Sequence, residues 1–141
     1  MSPEELTIWT LFNSGRIAGA LGLVASAIFI WLGFRVASGT RAPVSGESVT
    51  NAAKIMSSIF CLGTCAGAWR IWSEGYATYT LTVGGLERIK SEGVKLTDTA
   101  ENYIDFIGTS GVTNTPEPLG IAFIIFIAIM YLALIWAPKQ S

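Results

Sequence analysis

The sequence predicts an all-α integral membrane protein with three transmembrane helices and a short amphipathic extramembrane helix between the second and third. Three observations carry this. Two runs, Ile17–Phe34 and Leu119–Ala137, contain no charged residue at all. A third run, Ile55–Trp72, carries a single arginine near its end. Of 141 residues, 51% are hydrophobic and 13% charged, about half the charged fraction of a soluble domain. A water-facing surface would then be covered largely with apolar side chains, and a lipid-facing one removes the contradiction.

The first element begins almost at once. Ser2 suits an N-cap, Pro3 the first helical position, and Glu5 would close a capping box with Ser2. Leu6, Trp9 and Phe12 fall on one side, with the two aromatics placed for the headgroup level. The acidic start lacks the basic n-region of a cleavable signal, so the first span is expected to remain. At ~1.5 Å per residue, Ile17–Phe34 covers about 27 Å, close to the hydrocarbon thickness. Arg16 and Arg35 bracket it and can snorkel. The first transmembrane helix is expected at about 16–37.

Residues 38–51 (SGTRAPVSGESVTN) read as a turn-forming loop, rich in Gly, Pro and hydroxyls. The second span is expected at about 53–74, with the helix continuing to about Val83. Trp69, Trp72, Tyr76, Tyr79 and Val83 form a stripe at spacings of 3, 4, 3 and 4, a helical period continuous with the span. Gly84-Gly85 would then break the helix, with Leu86–Lys90 a separate short piece. Residues 75–118 are read as extramembrane. Within them Asp98-Thr-Ala-Glu101 opens a helix over 98–108, with Ala100, Ile104 and Ile107 on one face and Gly108 as its stop. Thr115-Pro-Glu-Pro118 leads into the third span at about 118–137. Pro138 ends it, and Lys139 is placed at the headgroups.

Three spans put the termini on opposite sides. Arg35, Arg41, Lys54 and Lys139 flank one side, and the acidic N-terminus shares the other with residues 75–118. By the positive-inside tendency the N-terminus is expected outside and the C-terminus in the cytoplasm.

Composition removes whole classes of function. There is no histidine, so the commonest metal ligand and neutral-pH base are missing. No run of clustered cations is present, which argues against nucleic acid as a partner. Gly84-Gly85 lacks the strand–helix context and lysine of a phosphate loop. No catalytic residue and no cofactor is expected, and the chain is not read as an enzyme.

The positions worth following are structural. Gly15 and Gly19, with Gly22 and Ser26 beside them, form small rows on the first span, and Gly63 and Gly67 repeat the motif on the second. Small residues four apart let helices approach closely in lipid. The third span has no such row and is expected to pack loosely, with much of its surface toward lipid. Trp69, Arg70, Trp72, Tyr76, Tyr79 and Trp136 are candidate lipid and interface residues. Arg70 lies near a span end with Glu74 four residues on, which favours anchoring over a buried functional charge. Cys61 and Cys65 share one helix face, where parallel Cβ vectors suit a disulfide poorly. They are the only candidates for a soft metal, and two thiolates fall short of a stable set.

The reading that fits is a non-catalytic accessory subunit of a larger membrane complex, such as a respiratory complex or a membrane-bound monooxygenase. Its partners would be other membrane subunits and phospholipids. Two alternatives stand beside it: a small homo-oligomeric channel or transporter, and a metal or redox subunit built on Cys61 and Cys65.

Overall fold

The computed structural model describes residues 1–42 and 48–138. Four helices follow in order: α1 Pro3–Arg41, α2 Asn51–Ser91, α3 Asp98–Ile107 and α4 Pro118–Trp136. Among the described residues there is no strand. Helices α1, α2 and α4 are each long and apolar enough to cross a membrane. Residues 43–47 of the expected loop, and Lys139 with its expected headgroup role, lie outside the described residues.

Helices α1 and α2 form one antiparallel hairpin. At 39 and 41 residues they are about 58 and 61 Å long, whereas the 19 residues of α4 give about 28 Å. The pairing can be followed along the whole seam. Ile8 meets Gly85, Gly15 meets Thr78, and Gly22 meets Ile71. Further on, the Cys61 thiol donates to the Gly33 carbonyl at 3.3 Å, and the Thr40 and Ser57 hydroxyls lie 2.7 Å apart. The α1 positions 8, 12, 15, 22, 26, 33, 37 and 40 that turn to this seam repeat at spacings of 3, 4 and 7, the left-handed packing period.

Two packed regions lie along the hairpin. Near the α1–α2 connection, α4 docks into both helices around Ala37, Cys61, Cys65, Ala68, Ile127 and Tyr131. At the opposite end, α3 packs on the N-terminal part of α1 and the C-terminal part of α2 around Leu86, Ile89, Leu96 and Ala100. The segment after α3 runs down α2 and joins the two regions. Thr80 donates to the Gly111 carbonyl at 2.7 Å, and the Trp69 indole donates to that of Asn114 at 3.3 Å.

Three expectations need correction. First, α2 does not end at Val83; it continues through Gly84-Gly85 to Ser91. Two glycines in a helix cost about 1 kcal/mol each relative to alanine. Here Val83, Leu86 and Ile89 are buried on either side of them, and Ile8 sits against Gly85, where an added Cβ would come within 3.4 Å. Tertiary packing on a close approach outweighs the local preference.

Second, Glu5 does not close a box with Ser2. The Ser2 side chain accepts from the Glu5 amide, but the carboxylate crosses to Thr97 instead. Correspondingly, the α3 N-cap is Thr97 rather than Asp98, and its hydroxyl accepts from the Ala100 amide. The expected stop at Gly108 is found in the left-handed conformation, φ +67°.

Third, α4 is not loosely attached. Gly120, Ile124, Ile127, Tyr131 and Ile135 are buried along one stripe, while Leu119, Ile125, Phe126 and Ile129 remain exposed. A helix apolar all round has no periodicity to reveal its packed face.

Candidate functional site

The candidate residues fall into three groups by where the fold places them. Gly15, Gly22 and Ser26 lie in the α1–α2 seam. An ideal Cβ on Gly15 would stand 2.6 Å from Thr78 Cγ2, and one on Gly22 2.7 Å from Ile71 Cγ2. Neither position has room for a side chain. Ser26 is buried; it donates to the Leu23 carbonyl at 2.8 Å and accepts the Trp72 indole N–H at 2.9 Å. Gly19, Gly63 and Gly67 do not join them. A Cβ on any of the three would meet nothing within 4 Å.

The tightest glycine is one the small-residue rows missed. A Cβ on Gly33 would overlap the Tyr131 hydroxyl and come 3.1 Å from Thr64 Oγ1. Tyr131 is 0% exposed. Its hydroxyl donates to the Ile30 carbonyl at 2.8 Å, and the Thr64 hydroxyl, which also donates to Cys61, stands 3.5 Å away. Phe34 packs edge-on against its ring, centroids 4.8 Å apart. A tyrosine in an apolar interior needs a partner for its O–H, and only a glycine at 33 leaves space for this one. The signal in the sequence is the seven-residue step from Ser26 to Gly33.

Trp72 ties all three long helices together, since its ring also stacks on Phe123 of α4 at 5.8 Å and 17°. Trp72→Phe keeps an aromatic ring but leaves Ser26 without its donor. The expected loss is about 1 kcal/mol in denaturant unfolding in micelles, within the range measured for hydrogen bonds between membrane helices.

The aromatic stripe is divided among several roles. Trp69 donates to Asn114, whose carbonyl also accepts from Ser73. Tyr79 meets Phe12, and Trp9 and Phe12 both meet Tyr103, all edge-on at 5.2–5.7 Å. Trp9 and Phe12, expected at the headgroups, thus lie inside an aromatic cluster with α2 and α3. Burial pushes the Tyr103 phenol up to about 12, and nearby Tyr79 adds to this. Because the folded value is raised, the stability it contributes is fully present below the ordinary value of about 10 and lost as pH rises through about 12. Spectrophotometric titration of the unaltered chain and of Tyr103→Phe should differ by one phenol that ionises at about pH 12.

Arg70 and Glu74 form an ion pair of 2.5 Å with side chains 80% and 62% exposed. Such a pair is worth little by itself. Trp136 closes the other end of the bundle: its indole donates to Ser58 Oγ at 2.9 Å, and Lys54 Nζ lies 5.5 Å from its ring centre.

Cys61 and Cys65 are free thiols, both buried where α4 covers the hairpin. Among the described residues no group of three or more His, Cys, Asp or Glu side chains stands together. No family model, curated protein or solved structure matches the chain.

Proposed function

We propose that this chain is a multi-pass integral membrane protein serving as a non-catalytic accessory subunit of a larger membrane complex. The observation that carries the reading is the length of α1 and α2. Each is about twice the ~30 Å of a hydrocarbon core, while α4 matches it. With α4 in the bilayer, the end bearing α3 stands roughly 30 Å beyond the hydrocarbon. That end still exposes Leu6, Leu11, Leu81, Phe106 (85%) and Val112. Large apolar side chains on a projecting end are what a partner subunit covers.

In this reading α3 is extramembrane, and the projecting end lies on the N-terminal side. The opposite side carries Arg41 and Lys54 at the span ends, which favours a cytoplasmic C-terminus. The membrane part scaffolds its neighbours through lipid-facing and partner-facing apolar surface.

Mild detergent extraction from native membranes, followed by native electrophoresis, tests the proposal. The expected result is co-migration with larger chains, weakened when Phe106 and Leu6 are both replaced by Asp. A chain that migrates alone would sink the proposal; a homogeneous homo-oligomer would replace it with the channel reading.

A further inference from the structure

Where α4 enters the bundle, the three long helices do not close completely. A lateral groove of about 880 Å³ remains between α1, α2 and the start of α4. Its α1 wall runs from Gly15 to Leu23, about 12 Å of helix. Phe123 and Phe126 form the α4 wall, and Trp72 and Tyr76 stand at the back. Phe106 and Ile107 of α3 overhang one end.

The groove is apolar along its length and charged at its mouth. Arg16 and Glu117 both line it. Neither forms a salt bridge among the described residues; Arg16 rests over the Phe12 ring at 5.8 Å. One cation, Arg16, and one anion, the α4 N-cap Glu117, thus line a groove otherwise walled largely by aliphatic and aromatic side chains.

We propose that this groove binds a phospholipid with a zwitterionic aminoalcohol head. The phosphate pairs with Arg16, the ammonium faces Glu117, and an acyl chain lies over Gly19 between Leu23 and Phe126. The inference rests on the membrane placement of the chain. Charge complementarity selects the head: phosphatidylglycerol would satisfy Arg16 through its phosphate but bring no cation to Glu117, whereas an aminoalcohol head supplies both charges. Size selects a lipid over a protein segment. A helix is about 10–12 Å across, and a spanning length of it fills well over ~2,000 Å³, more than twice this groove. The volume falls instead in the ~300–1,000 Å³ range of small-molecule sites.

Gly19 supplies the test. It lines the groove, and a Cβ there would meet nothing within 4 Å, so a larger side chain fills the groove without disturbing the helix seam. The purified chain is reconstituted in vesicles of phosphatidylcholine with one quarter phosphatidylethanolamine or one quarter phosphatidylglycerol, each carrying a photoactivatable acyl chain. The expected result is phosphatidylethanolamine labelling concentrated on residues 19–23 and 119–126. Gly19→Leu should lower it at least tenfold, and Arg16→Gln several-fold. Gly63→Leu, at an equally open position outside the groove, should leave it unchanged. Labelling that survives Gly19→Leu, or that favours phosphatidylglycerol, would overturn the proposal. So would crosslinks from the groove, in native membranes, to a protein rather than to lipid. Carbonate extraction separates the two levels: a chain released by carbonate refutes the membrane reading itself, whereas a retained chain with no groove labelling refutes only the lipid site.

Discussion

Gly33→Ala should loosen α4 from the hairpin and cost about 2–3 kcal/mol. The new methyl group would occupy space held by the Tyr131 hydroxyl, and overpacking of a tight interior costs about 1–3 kcal/mol. Displacing the ring also breaks its hydrogen bond to the Ile30 carbonyl, and interhelical hydrogen bonds in membranes average about 0.6 kcal/mol. Chemical unfolding in micelles should show the loss. Gly63→Ala and Gly19→Ala serve as controls, because open space at both positions leaves only the gain in helix propensity, up to about 1 kcal/mol. Tyr131→Phe alone should lose about 1 kcal/mol. Combined with Gly33→Ala it should lose less than the sum, since the two residues are in contact. Equal stability of Gly33→Ala and Gly63→Ala would refute this account of how α4 is held.

How much of this was legible in the sequence depends on which physical signal each element carries. The apolar runs show directly, because no soluble fold tolerates Ile17–Phe34 or Leu119–Ala137 on its surface. The cap at Ser2 and the stop at Gly108 show as local chemistry. Gly15, Gly22 and Ser26 could be picked out as small residues on one helix, but nothing local separates them from Gly19, Gly63 and Gly67, where an added Cβ would meet nothing within 4 Å. That distinction belongs to the partner helix: Thr78 and Ile71 are what make Gly15 and Gly22 obligatory. Gly33 was missed for the same reason, since its constraint comes from Tyr131, 98 positions further along. The Gly84-Gly85 pair misled because a local breaker becomes a close-packing site once Ile8 lies over it. The groove is absent from any linear pattern, as it is the gap left where three helices diverge.

Glu5 sets the other large expectation. Its side chain is 0% exposed, and it accepts from the Thr97 hydroxyl at 2.5 Å, the Thr97 amide at 3.3 Å and the Trp9 indole at 3.3 Å. Burial alone would raise its pKa, but these three donors outweigh it and hold the carboxyl below its ordinary range. The carboxylate thereby fastens the first turn of α1 to the start of α3, 92 positions away. Hydrogen bonds to charged groups are worth about 1.5–3 kcal/mol, and donors stranded by Glu5→Ala cost a similar amount. The substitution should therefore make opening of this end about 2–3 kcal/mol easier. Amide exchange across 94–103 and tryptic cleavage at Lys95 should both rise. A depressed folded-state pKa contributes stability that is present above the ordinary glutamate value of about 4.3 and lost as pH falls through the lower, folded one. The fastening is accordingly complete at neutral pH and released only in acid. Glu5→Gln, which cannot ionise, should give intermediate exchange and lose the acid-dependent part of the opening. Matching exchange for Glu5→Gln and the unaltered chain at pH 7 would refute the role of the charge. Glu5 and Gly33 are 28 positions apart on one helix, about 42 Å, and share no partner. Their costs should add in the double variant, unless α1 transmits strain along its length, in which case the sum would be exceeded.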